Sequence, residues 1–262
     1  MKLLFQFQKN LINKADFDKG GKKAFFNLAR KKFSLIVLLF IFCQKSDHYA
    51  VKHAGALRDI MHKGDLSGKI QLDSLQNKAH LYGLGALENL KGEILMINSD
   101  PIISTVQESS LRIENSYKYN AALLVYAQVR KWKELKIPGH IQHAQEMESF
   151  ILEMARNQKL DVKRPFPFMI TGTIKEGKWH VIDWKEGDTE HTPEKHKTSG
   201  LRGTVQNQGV RVLGFYSDKH QGIFTHHSSS VHMHMITDEG SITAHLDEFV
   251  IGDNKLWLPA VD

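Results

Sequence analysis

The chain has 262 residues, 41% of them hydrophobic and 24% charged, enough for one large or two small domains of ordinary globular composition. Its formal charge of +6 is concentrated at the start: ten Lys and Arg against two Asp lie in the first 46 residues, and the remainder is close to neutral, which argues against a nucleic-acid partner. A single cysteine, Cys43, excludes an intrachain disulfide framework.

Residues 33–42, in "RKKFSLIVLLFIFCQKSD", form an apolar run behind a basic flank. The run is shorter than the ~20 residues that span a bilayer. It has the form of a signal-peptide core. A cysteine directly after that core resembles a bacterial lipoprotein signal, although Phe42 stands where a small residue is usual. Residues 1–46 are therefore read as a targeting segment. The expectations are an exported, periplasmic or membrane-anchored protein with Cys43 as a candidate lipid anchor, and a domain over 47–262.

In "VKHAGALRDIMHKGD" the pattern predicts a short amphipathic helix ending near Gly64. "GKIQLDSL" follows as a short strand or turn leading to a second short helix. "GEILMINSDPIIS" reads as a β-hairpin turning at 98–101, and "NAALLVYAQV" as a buried strand. Apolar residues at Ala144, Met147, Phe150, Ile151 and Met154 recur at helical spacing and predict an amphipathic helix. After a Pro-containing joint at 164–167 the texture becomes β. "FMITGTIKEGKWHVIDW" reads as a hairpin turning at Glu176–Gly177, "HKTSGLRGTVQNQGVRVLGFYS" as another strand pair, and "NKLWLPAV" as a last strand. The expected class is α+β in two mixed subdomains: a helix-containing N-terminal half, and a β-rich C-terminal half bearing a metal-binding hairpin.

Histidine is the compositional outlier, with 15 in the chain and six between His220 and His245. "VHMHMI" alternates like a strand, so His232 and His234 share a face. "TDEGS" is a hairpin loop, with Gly240 able to take positive φ. A returning strand "ITAHLDEF" then brings His245 opposite the pair. Three neutral imidazoles with a free fourth position suit a catalytic zinc or another divalent transition metal. His226 and His227, in "FTHHSSS", are alternative ligands, outer-sphere donors or solvated loop residues. His220 is read as a surface residue.

"VHMHMITDEGSITAHLDEF" is similar to the metal-binding signature of the α-acetolactate decarboxylases, an H-x-H-F-I stretch followed by G-G-H-V-L-D-F. The segment from "LRDIMHKGD" through "GLGALENLKGEILMINSDPI" resembles that family's opening, and "VLGFYS" its "GFWTP" strand. The likeness spans roughly residues 53–260. It implies a zinc enzyme converting 2-acetolactate to acetoin and carbon dioxide, the metal acting as a Lewis acid on the ketone and hydroxyl oxygens. On this resemblance His232, His234 and His245 are ligands, and Glu93, in "LKGEIL", is the acid/base carboxylate. The implied partner is a small 2-hydroxy-3-keto acid, and the expected assembly is a homodimer.

The chain departs from the family pattern at several points. Ala86 replaces a threonine, Trp184 or Lys185 stands where an arginine is usual, and no C-terminal glutamate matches. "HHSSSVHMH" replaces a "GYHLH" lead-in, so His226 or His227 is a candidate for anion binding or proton transfer. The competing expectations are a metalloenzyme on the same scaffold with another substrate or reaction, and a non-catalytic periplasmic metal-binding protein. A closed four-ligand shell would favour the last.

Overall fold

The computed structural model describes residues 49–226 and 229–261. Two antiparallel sheets dominate it. The first contains β1 (Lys52–Ala54), β2 (Ile70–Gln71), β3 (Leu81–Leu87), β4 (Glu93–Ile97), β5 (Asp100–Gln107), β6 (Ser110–Asn115) and β7 (Asn120–Gln128). Its order is β1-β7-β3-β4-β5-β6, with β2 also on β7. The second contains β8 (Trp132–Lys136), β9 (Phe166–Val181), β10 (Leu201–Tyr216), β11 (Val231–Thr237) and β12 (Thr243–Pro259), in the order β11-β10-β9-β12-β8. Because β11 also pairs with β12, strands β9 to β12 close into a ring of four.

Several local elements follow directly from residue chemistry. Helix α1 (Leu57–Lys63) ends at Gly64, which adopts the left-handed conformation (φ 61°) and bonds back to the last turn. The β4–β5 hairpin turns at Asn98 and Ser99, both at positive φ (50° and 67°), as a two-residue hairpin requires, and Pro101 already lies in β5. Helix α2 (Ala144–Asn157) buries Met147, Phe150, Ile151 and Ala155 in the core of the second sheet. Full burial of each large apolar side chain stabilises by about 1.5–3 kcal/mol. A core cluster joins the two sheets, with Leu84, Leu95 and Val125 packed with Met169, Leu213 and Phe215.

Up to the expected joint at 164–167 the chain holds α1, α2 and two short 3-10 segments, Leu72–Leu75 and Glu88–Leu90, yet strands outweigh helices there, in the seven-stranded sheet and β8. Two expected hairpins are also single strands. Glu176 pairs with Gln206 on one side and Val250 on the other, so β9 runs straight through the anticipated turn. Gly177 sits there because a Cβ would lie 3.0 Å from Ile174 and 3.1 Å from Val205. Glycine in this strand marks a close approach and not a reversal. β10 likewise continues through Asn207 (φ 49°), its pairing with β9 resuming at Gln208. "NKLWLPAV" is the far end of β12, the same strand that carries His245.

Candidate metal centre and its cavity

β11 presents His232 and His234 on one face, as alternation requires. The chain turns through Gly240 (φ 70°), and β12 returns with His245 directly opposite His234. His245 also pairs with His180 on β9. Three imidazoles thus form a row across β11, β12 and β9, with His232 two residues along. His232, His234 and His245 are each buried, and one ring nitrogen from each lies within 4.8 Å of the others.

Burial, the largest effect, drives all three imidazoles well below their ordinary pKa, His234 to about 3. Neighbouring histidines push the same way, because one charge beside another is costly. The carbonyls of Phe224, near His232, and Ile94, near His234, oppose the shift only in part. Neither Nδ1 has a well-formed hydrogen bond. Neutral imidazole is the metal-binding form.

The spacing fits an ion. The Nε2 atoms of His232 and His234 stand 3.2 Å apart. Tetrahedral zinc with bonds of about 2.0–2.1 Å separates two ligand nitrogens by about 3.4 Å. Two facing lone pairs at that distance repel unless a proton or a cation lies between them. The three residues present can therefore hold a divalent metal and leave a further coordination position for a ligand.

Glu93, the first residue of β4, is 4% exposed and lies opposite Ala86 of β3. Its Oε1 accepts a hydrogen bond from the Ile182 N–H at 3.2 Å, and its Oε2 lies 3.7 Å from His234 Nε2. Burial pushes its carboxyl up to about 7, although the Ile182 N–H favours the charged form. Close β3–β7 packing supports this corner: a Cβ on Gly85 would fall 1.9 Å from the Leu123 carbonyl oxygen.

His226, from the loop before β11, lines the same cavity, its ring centroid 5.7 Å from that of His245 and 6.3 Å from that of His232. His227 lies outside the described residues, as does Cys43. His220 stands apart from the triad and accepts or donates a hydrogen bond at Ser217 Oγ, 2.8 Å away.

His232, His245 and Glu93 border a cavity of about 890 Å³, with His234 fully buried behind them. Leu57, Ile60, Leu90, Leu123 and Ile182 give it apolar walls. α3 (Pro193–Thr198) and the segment before it add His191 and His196, whose nitrogens Nδ1 and Nε2 lie 3.0 Å apart. Both rings pack on Trp184, with centroids 4.5 and 4.6 Å away. Burial lowers His196 to about 4, and its neighbour His191 adds to the effect.

Sequence reasoning did not single out His180 and Asp247. Both border the cavity, joined by a 2.8 Å bond between Nδ1 and Oδ2. Their signals were weak: one histidine in "KWHVIDW" and one acid two residues past His245.

The sequence profile of the alpha-acetolactate decarboxylases matches residues 54–261. No curated relative matches the chain. Among solved structures, α-acetolactate decarboxylase from Bacillus subtilis strain 168 is similar at 15% identity and a TM-score of 0.59, with 79% of this chain and 83% of that one covered. Acetolactate decarboxylase from Bacillus subtilis subspecies spizizenii gives 15%, 0.59, 80% and 85%. A Staphylococcus aureus protein of unknown function similar to α-acetolactate decarboxylase gives 15%, 0.59, 79% and 84%. These likenesses show the fold, and the profile match spans most of the chain. The chain belongs to the alpha-acetolactate decarboxylase family, a family of carboxy-lyases.

Proposed function

We propose that the protein decarboxylates 2-acetolactate to acetoin and carbon dioxide in a metal-dependent reaction. One observation carries the reading: three buried, neutral imidazoles converge beside a buried carboxyl group, at an apolar-walled cavity of a chain from this family. His232, His234 and His245 would hold the ion, zinc being the first choice for three nitrogen ligands. When bound, the metal supplies Lewis acidity to the ketone and hydroxyl oxygens of the substrate.

The chain's own groups do the rest. The Ile182 N–H fixes Oε1 of Glu93, leaving Oε2, beside His234, as the atom that holds and delivers a proton to the carbanionic carbon left by carbon dioxide. The leucine and isoleucine walls replace water around the departing carboxylate, which disfavours the charged ground state over the neutral product. His226 is assigned to the carboxylate side of the substrate, on its proximity to His232 and His245.

The test is carbon dioxide release and acetoin formation from racemic 2-acetolactate by zinc-loaded protein, beside a His232→Ala/His234→Ala control. Turnover that the control lacks supports the reading. A well-folded, zinc-loaded protein without turnover refutes it.

A further inference from the structure

The row of histidines contains one imidazole that the metal does not need. His180 faces His245 across the β9–β12 pair, ring centroids 4.7 Å apart, and is 8% exposed. It is outside the group of three whose nitrogens converge within 4.8 Å. Its Nδ1 lies 2.8 Å from Asp247 Oδ2. A carboxylate oxygen only accepts, so this contact puts the ring proton on Nδ1. Nε2 then carries a lone pair and belongs to a ring that lines the cavity.

The backbone is shaped to make this pair. On β12, Leu246 pairs with Trp179 and Glu248 with the adjacent Lys178, so Asp247 is the extra residue of a β-bulge. Bulges re-aim side chains, and this one brings the Asp247 carboxylate onto His180. With Nδ1 engaged by Asp247, the free side of a cavity-lining ring is an acceptor, which suits a ligand that brings a donor.

Resting on the decarboxylase reading, we propose that His180, held by Asp247, accepts a hydrogen bond from the hydroxyl group of the substrate and selects 2-hydroxy-3-keto acids over their 2-deoxy counterparts. Asp247 is a positioning residue: it fixes the tautomer and touches no substrate.

The test uses two ligands that lack the ketone and so cannot react: 2,3-dihydroxy-2-methylbutanoate, and 3-hydroxy-2-methylbutanoate, which lacks the 2-hydroxyl. Their affinities for the zinc-loaded full chain are measured by calorimetry, for the native protein, His180→Phe and Asp247→Asn. Phe keeps the ring packing on His245 and removes the acceptor. The native protein should prefer the 2-hydroxy ligand, and His180→Phe should cut that preference by about 10- to 100-fold with one zinc per chain retained. Asp247→Asn should reduce it in the same direction, because an amide also stabilises the other tautomer. Should His180→Phe fail to fold, nitrogen NMR of the metal-free native protein decides, through the histidine signals altered by Asp247→Asn.

Three results overturn the proposal: a preference unchanged in His180→Phe, an Nε2-protonated His180 in the native protein, or loss of zinc from His180→Phe, which would make it a ligand. If neither ligand binds the native protein, the substrate class itself falls, and the inference with it. If both bind equally, only the inference falls.

Discussion

Glu93→Gln separates the chemistry at Glu93 from its place in the fold. Gln has almost the same shape, and its Oε1 still accepts from the Ile182 N–H at 3.2 Å. The Oε2 contact replaced by an amide nitrogen is a 3.7 Å approach to His234, too long for a hydrogen bond. The structural cost should therefore stay within about 1 kcal/mol, the size of one ordinary hydrogen bond. Zinc should remain bound, since Glu93 is not among the three converging ligands. What is lost is the proton donor. A positioned general acid contributes about 10²–10⁴-fold, so kcat for acetoin formation should fall by that factor, about 3–5 kcal/mol of barrier. Glu93→Asp gives a second point. It keeps the acid but withdraws it by one methylene, and a misplacement of about 1 Å costs on the order of 10²-fold. The assays are acetoin formation, zinc content and thermal unfolding on the same preparations. If Glu93→Gln turns over within about threefold of the native protein, the proton does not come from Glu93. If activity and zinc vanish together, Glu93 acts through the metal site instead, and the assignment of its Oε2 fails.

Other perturbations have equally definite outcomes. Zinc at 100 times its Kd should raise the unfolding free energy by about 2.7 kcal/mol, and His232→Ala/His234→Ala should abolish that gain in calorimetry. His226→Ala should weaken substrate binding, raising KM, with zinc retained; full turnover at unchanged KM removes His226 from the site. His196 is a base whose folded-state pKa, about 4, lies below its unfolded value of 6.5. Its neutral burial is thus fully tolerated above about pH 6.5 and becomes a loss as pH falls toward 4. The stability gap between the native protein and His196→Gln should narrow over that window by at most about 3 kcal/mol, less for residual solvent contact, in urea titrations; a gap independent of pH contradicts the assignment. Gly214→Ala places a Cβ 2.2 Å from Phe168 Cζ and should cost about 1–3 kcal/mol in thermal unfolding.

The parts of the site legible in the sequence are those set by local periodicity. His232 and His234 fall on one face because strand side chains alternate, and "TDEGS" announces a turn because Gly240 takes positive φ at no cost. The "NS" turn at Asn98 and Ser99 is local in the same sense, whereas Glu93 was marked only by the family resemblance. Element length was harder to read. Gly177 and Asn207 look like turn residues, yet the strands on either side of them pair straight through, so context overrode composition. The helices α1 and α2 of the first half were legible, but the extent of its sheet was not, for a similar reason: the glycines of "LYGLGAL" permit close strand packing, as at Gly85 against Leu123, and a seven-stranded sheet forms around them.

His180 and Asp247 were hidden for a different reason. They are 67 residues apart, and only the register of β9 against β12 joins them. Register also decides the metal centre. Because side chains alternate with a period of two, a one-residue slip of β12 would turn His245 away from His234 and His180 together. The ring closure of β11 onto β12 opposes such a slip, since His245 is pinned by strands on both sides. The bulge at Asp247 then absorbs the mismatch further along β12, so that Glu248 and Phe249 regain their places opposite Lys178 and Gly177. Deleting Glu248 removes the extra residue: Asp247 then takes the place opposite Lys178, and both His245 and the later β12 pairings keep their register. The protein should therefore retain its zinc and most of its stability while the Asp247 carboxylate is re-aimed away from His180. Loss of zinc from a folded variant would show that the bulge, and not the pairing of His245 with His234 and His180, fixes the metal register.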